Sequence, residues 1–195
     1  MELEILHWFE SLHNPVTDPI MYGITTLGNA GLLWIITAAV LLFALPVKYR
    51  KVGLTVAVAL IFSLIMCNGI MKNVYHRVRP FHADPTFENL YNVFASIHDW
   101  SFPSGHTSAS FAAAVAILLW RKKEGIAALI MAVLISFSRL YLTVHYPTDV
   151  LASLILGSLY GAAAYFLVKW LLAKSEKMKR VFDRGESYSV LWKRS

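Results

Sequence analysis

The chain has 195 residues, of which 57% are hydrophobic and only 15% charged, and its mean hydropathy is +0.53. An apolar share so far above that of water-soluble domains, delivered in recurring runs, excludes a soluble globular enzyme and predicts one integral membrane domain. The net charge of +6 does not predict a nucleic-acid surface: eight of the eighteen basic residues lie after residue 168 and six more flank apolar runs, which is a topology signal.

Residues 2–13, ELEILHWFESLH, interleave Leu3, Leu6, Leu12, Trp8 and Phe9 with acidic side chains, a pattern that predicts a short amphipathic helix at the membrane interface. The first lysine or arginine is Lys48, so the basic start of a signal peptide is missing. Asn14–Pro15 ends this helix. Residues 16–45 are mostly apolar but are interrupted by Gly28-Asn29-Ala30-Gly31, which predicts a shallow or re-entrant helix followed by a span over about residues 30–45. Further spans are predicted at residues 52–71, 108–120, 126–142 and 150–172. That makes five, or six if residues 16–28 also cross. A crossing helix needs roughly 17–25 residues, so the run at 108–120 is full length only if residues 104–107 also lie below the membrane surface. Cys67 stands alone in an apolar run, which excludes a disulfide framework and predicts a packing role. Trp8, Trp34, Trp100, Trp120 and Trp170 suit an interfacial belt.

The expected organisation is therefore an all-α polytopic transmembrane bundle. Residues 1–28 form interfacial or re-entrant helices, 29–172 the membrane domain, and 173–195 a polar basic tail suited to an anionic lipid surface. Basic residues follow the first, third and fifth predicted spans, so those turns and the C-terminus are expected on the cytoplasmic side. Residues 72–107 and 139–149 then face outward.

Four cations do not fit that topology signal: Lys72, Arg77, Arg79 and Arg139 all fall on the outer side. A charge at the bilayer centre costs at least ~2.5–3.5 kcal/mol on insertion scales, so intramembrane cations usually serve a function. Lys72 and Arg79 are seven residues apart and are expected on one helical face until Pro80 breaks it. Ser104, Gly105 and His106 follow Pro103 at a helix start, where free backbone N–H groups and the helix dipole favour an anion. Arg139 ends the fourth span, His145 comes six residues later, and Asp149 stands beside Pro147 at a helix entrance, where a carboxylate can orient an imidazole. Cations, a helix N-terminus and two histidines converging at headgroup depth predict a phosphate pocket. Arg77 is read as a headgroup contact, and His7, His13, His76, His82 and His98 as structural or surface residues.

Three motifs taken together, Lys72-x6-Arg79-Pro80, Pro103-Ser104-Gly105-His106 and Ser138-Arg139-x5-His145-x3-Asp149, resemble the signature of the type 2 phosphatidic acid phosphatase (PAP2) superfamily, shared by lipid phosphatases and vanadium haloperoxidases. All signature positions are present, in order. The resemblance implies that His145 attacks phosphorus and carries a phosphohistidine, that Asp149 orients it, and that His106 protonates the leaving oxygen. It also implies that Lys72, Arg79, Arg139, Ser104 and the Gly105 backbone N–H hold the phosphoryl oxygens, with Pro80, Pro103 and Ser138 as structural members. No cofactor and no metal is expected, since the two histidines are committed elsewhere and no carboxylate cluster of the metal-ligand kind accompanies them.

The activity so implied is hydrolysis of a membrane lipid phosphate or pyrophosphate at the outer leaflet. Undecaprenyl pyrophosphate is the first choice, and phosphatidylglycerophosphate or phosphatidate the alternative. Residues 81–103 are expected to lid the pocket. A haloperoxidase fits a membrane location poorly, and a non-catalytic lipid transporter would have no need of a complete signature. The expected partners are a lipid phosphate and the bilayer, without nucleic acid. The sequence carries no sign of oligomeric state.

Overall fold

The computed structural model describes residues 1–192; Lys193 and Arg194 of the predicted basic tail lie outside the described residues. The fold is all-helical, with no strand among the described residues. In chain order, α1 covers Glu2–Glu10, α2 Thr17–Leu27 and α3 Leu32–Ala39, the last running on through a π-helical turn at Val40–Ala44. Helix α4 covers Arg50–Ser63 and continues through a π-helical stretch at Leu64–Met71 into α5, Lys72–Tyr75. After the short α6, Pro80–Ala83, come α7, Gly105–Trp120; α8, Lys122–Tyr141; α9, Pro147–Lys174; and α10, Glu176–Phe182.

Three stretches are long and apolar enough to cross a membrane: Val47–Ala83, Lys122–Tyr141 and Pro147–Lys174. Helix α2 and the segment Asn29–Ala44 together form a fourth, bent by 46° at the predicted interruption. The bend has a local cause: Ala30 and Gly31 both adopt left-handed backbone, which no α-helix can carry through. Helix α7 is apolar but has only 16 residues. It begins at Gly105, three residues before the predicted apolar run, so the Gly-His-Thr segment of the motif is itself helical.

Helix α7 lies at the centre, against α4, α8 and α9. Lipid tails are as apolar as leucine, so helices in a membrane associate through close packing of small residues rather than through the hydrophobic effect. Ala112, Ala113, Ala114 and Ala116 of α7 are completely buried. The opposing face of α9 carries Gly157 and Gly161, where an added Cβ would come within 2.4 Å of the Ser108 carbonyl oxygen and 2.5 Å of that of Ala112. These two glycines let α9 rest directly on the α7 backbone, and so fix the start of α7 relative to the start of α9.

Two expectations are corrected here. Trp34 is not a belt residue: it is buried in the core, and its Nε1 donates to Ser110 Oγ at 2.9 Å. The segment after residue 173 is not a free polar tail. Val181, Phe182 and Val190 are buried against Val168 and Leu172, and the Arg50 guanidinium donates to the carbonyls of Val181 (3.1 Å) and Glu186 (2.9 Å). Its apolar residues are few in composition, but they recur on one side and close over the base of the bundle.

Candidate active site

The three motif segments come together in one cavity of about 1090 Å³, lined at one end by Lys72, Arg79, Gly105, His106, Arg139 and His145. The cavity continues between α3 and α4 along Ile35, Leu42, Leu60 and Leu64. Three cations and two imidazoles thus sit at the head of an apolar cleft.

Lys72 and Arg79 do not reach the site from one helical face as expected. Helix α5 stops at Tyr75, because His76 takes a left-handed conformation (φ 41°), and the chain runs extended to Arg79. Pro80 does not break that helix; it opens α6 as its first residue, where a missing N–H costs nothing. The turn at His76 carries Arg79 under the site. There its Nη1 donates to the Val144 carbonyl at 2.8 Å and to His145 Nε2 at 3.1 Å. The π-helical stretch before α5 places Asn68 against Gly105, with Asn68 Oδ1 3.1 Å from where a Cβ would stand.

The bond from Arg79 settles the tautomer of His145. A guanidinium only donates, so Nε2 is the acceptor and carries the lone pair, while Nδ1 carries the proton. His145 Nδ1 faces Asp149 Oδ2 at 3.5 Å. Burial, and then the Arg79 and Arg139 charges, hold the imidazole well below its ordinary pKa, so it is neutral. The site thus holds a neutral imidazole whose unprotonated nitrogen accepts from Arg79, in a cavity that Lys72 and Arg139 also line.

Asp149 is completely buried and accepts from Ser101 Oγ (2.5 Å), the Tyr146 N–H (3.0 Å) and Arg77 Nη1 (2.5 Å). Arg77 is therefore not a headgroup contact. Its other arm holds Glu2 of α1 at 2.6 Å, and its guanidinium lies 3.9 Å from the centre of the Tyr146 ring. It anchors the carboxylate behind His145 and ties the N-terminus to the site.

Arg139 is buried and has no carboxylate within ion-pair distance among the described residues. Its Nη1 donates to Thr25 Oγ1 at 2.6 Å, and its Nε has no hydrogen-bond partner. His106 turns its Nε2 to Asn29 Oδ1 at 3.0 Å, and an added Cβ at Gly28 would lie 2.6 Å from the imidazole. The interruption between α2 and α3 thus wraps the His106 ring. Pro103 lies one residue outside α7, and Ser104 is its N-cap. The Ser104 hydroxyl accepts from Thr107, its N–H donates to Ser153 Oγ at 2.7 Å, and it is completely buried behind the cavity wall. Gly105 does line the cavity, and its N–H belongs to the first turn, which has no intrahelical acceptor. Ser138 Oγ donates within its own helix, to the Ile135 carbonyl at 2.6 Å.

Three residues of this arrangement, Asn29, Asp99 and Ser101, escaped the sequence reading, as did the role of Arg77. Asp99 pairs with both Lys72 and Arg79. Each makes its contact across 20 to 77 residues of chain. No periodicity reports such contacts.

The fold and cavity together describe an all-helical membrane protein with a cationic, imidazole-bearing site suited to an anionic group. The family model of the PAP2 superfamily matches residues 48–173, and the chain belongs to that superfamily as a membrane lipid phosphatase. It is 27% identical over 194 residues to the lipid A 4'-phosphatase of Bacteroides thetaiotaomicron, covering 95% of this chain and 84% of the relative. Against the undecaprenyl-diphosphatase BcrC of Bacillus subtilis it is 34% identical over 151 residues, covering 77% of this chain and 75% of that one. The crystal structure of the first transmembrane PAP2 type phosphatidylglycerolphosphate phosphatase from Bacillus subtilis superposes with a TM-score of 0.62 at 30% identity, covering 90% of this chain and 86% of that one.

Proposed function

We propose that the protein removes a terminal phosphate from a lipid phosphate or pyrophosphate through a phosphohistidine on His145, with undecaprenyl pyrophosphate as its first candidate substrate. The observation that carries this reading is the unpaired Arg139 guanidinium beside a neutral His145 whose lone pair faces the cations. Buried charge without a partner is costly unless a ligand supplies the counter-charge.

Lys72, Arg79, Arg139 and the Gly105 N–H hold the phosphoryl oxygens, which spread their charge most in the transition state. Nε2 of His145 attacks phosphorus in line, and the bond from phosphorus to the lipid oxygen breaks. His106 gives its proton to that oxygen, and Asp149 steadies the charge that His145 acquires. Water activated by His106 then attacks phosphorus, the nitrogen–phosphorus bond breaks, and orthophosphate and free His145 remain. No step calls on a metal. The lipid tail lies in the apolar continuation of the cavity between α3 and α4. The site faces the extracytoplasmic leaflet and the C-terminus the cytoplasm, an orientation that the basic turns at Lys48–Lys51 and Arg121–Lys123 support.

The relatives support both a prenyl pyrophosphate and a glycerolipid phosphate substrate, and the likeness to the phosphatidylglycerolphosphate phosphatase makes the latter the second reading. The test is phosphate release from a panel of both lipid classes by purified protein with chelator present. His145→Ala is expected to abolish turnover and His106→Ala to slow it by orders of magnitude. Turnover that survives His145→Ala, or that stops on chelation, overturns the mechanism. Lipid movement between leaflets without phosphate release would make the protein a transporter instead.

A further inference from the structure

Asp99 lies in the segment between α6 and α7, outside all three motifs, yet its carboxylate bonds both Lys72 Nζ and Arg79 Nη2. Arg79 has no donor to spare. A guanidinium has five N–H groups. Nε donates to the Asp99 carbonyl (3.0 Å), Nη1 to the Val144 carbonyl (2.8 Å) and His145 (3.1 Å), and Nη2 to the Asp99 carboxylate and the Trp100 carbonyl (3.3 Å). Three of these partners are backbone carbonyls and the fourth is the nucleophile. His145 must drop its bond to Arg79 when Nε2 attacks, and the bond to the Asp99 carboxylate is the one that a phosphate oxygen, itself an anion, can replace in kind.

Asp99 is also built to release it. Its side chain is 54% exposed, whereas those of Lys72 and Arg79 are 9% and 4% exposed. Burial raises its pKa, but the bonds and charges of Lys72 and Arg79 outweigh this and leave it ionised.

We propose that Asp99 is an internal counter-anion that exchanges with the phosphate group on Lys72 and Arg79, weakening phosphate binding and driving orthophosphate out after hydrolysis. The product-release half rests on the phosphatase reading above; the exchange itself rests on geometry alone. A ligand that must displace an internal competitor binds more weakly by the fraction of sites from which that competitor is absent. Such a penalty falls on substrate and product alike, so it raises KM and the inhibition constant of orthophosphate together. When release limits turnover, it keeps kcat high.

The experiment titrates the detergent-purified full chain with orthophosphate by calorimetry, and measures orthophosphate inhibition and KM with a lipid phosphate. Asp99→Asn is expected to tighten orthophosphate binding on the order of tenfold, to lower KM in parallel and to leave kcat no higher than in the wild type. Asp99→Glu, which keeps the charge, should remain near wild type. Asp99→Ser carries the same expectation as Asp99→Asn and serves if the asparagine variant does not fold. Unchanged or weaker orthophosphate binding in both neutral variants would overturn the proposal, because Asp99 would then only position Lys72 and Arg79. If the wild type releases phosphate from no lipid, the phosphatase reading fails, and the calorimetric arm still decides the exchange.

Discussion

Arg139 carries a full charge into a buried site and finds one hydroxyl, from Thr25, to bond. Such a group costs stability, and in the proposed function a phosphate oxygen supplies its counter-charge. Arg139→Met is therefore expected to raise the melting temperature while lowering kcat/KM by about 10²–10³-fold, the usual cost of removing one donor from a developing oxyanion. Thermal unfolding and steady-state kinetics on the same preparation check both halves. A variant that is less stable and fully active would show that Arg139 is structural. At this scale the sequence was legible wherever a residue's type was anomalous for its depth. Lys72, Arg79 and Arg139 betray themselves as cations where the topology asks for none, and His106 and His145 as imidazoles beside them. Asp99 and Ser101 are polar residues in a polar loop, and Asn29 stands in a glycine-bearing break, so nothing in their type marks them. Arg77 is as anomalous as Arg79, but its partners Glu2 and Asp149 lie 75 and 72 residues away. Only the folded chain reveals them.

Helices were legible through their apolar runs and misread at their ends. The seven-residue spacing of Lys72 and Arg79 looked like one helical face, but the left-handed turn at His76 comes first, and histidine gives no strong sign of it. Helix α7 starts three residues before its apolar run, because Ser104 caps it and the polar Gly105, His106 and Thr107 are already in its first turn. The hinge between α2 and α3, by contrast, was plain from Gly28-Asn29-Ala30-Gly31, and its service to His106 follows from where the break points. The contact of α7 with α9 joins the two helix starts that carry His106 and Asp149. Gly157→Leu, which would drive a side chain into the Ser108 carbonyl, is expected to cost about 1–3 kcal/mol as overpacking and to lower activity as the two starts separate. Denaturation in mild detergent together with phosphate release checks this. Wild-type activity at wild-type stability would mean that α9 is not held by α7.

For the molecule as a whole, the membrane class, the helical architecture and the gathering of cations and imidazoles in one cavity all followed from composition and from a few misplaced charges. The closure of the C-terminal segment over the bundle did not, because Val181, Phe182 and Val190 are too few to register in a basic stretch. The proposed orientation has its own test. In intact cells a membrane-impermeant thiol reagent is expected to label Glu88→Cys and not Lys174→Cys; the reverse pattern would invert the topology. Cys67 is buried and gives little background. The central claim is that phosphate passes through His145 rather than directly to water. Two in-line displacements at phosphorus restore its configuration, whereas a single attack by water inverts it. Hydrolysis of a lipid thiophosphate made chiral with oxygen isotopes measures this directly, whether or not the intermediate accumulates. Retention of configuration is the predicted result, and inversion would contradict the account.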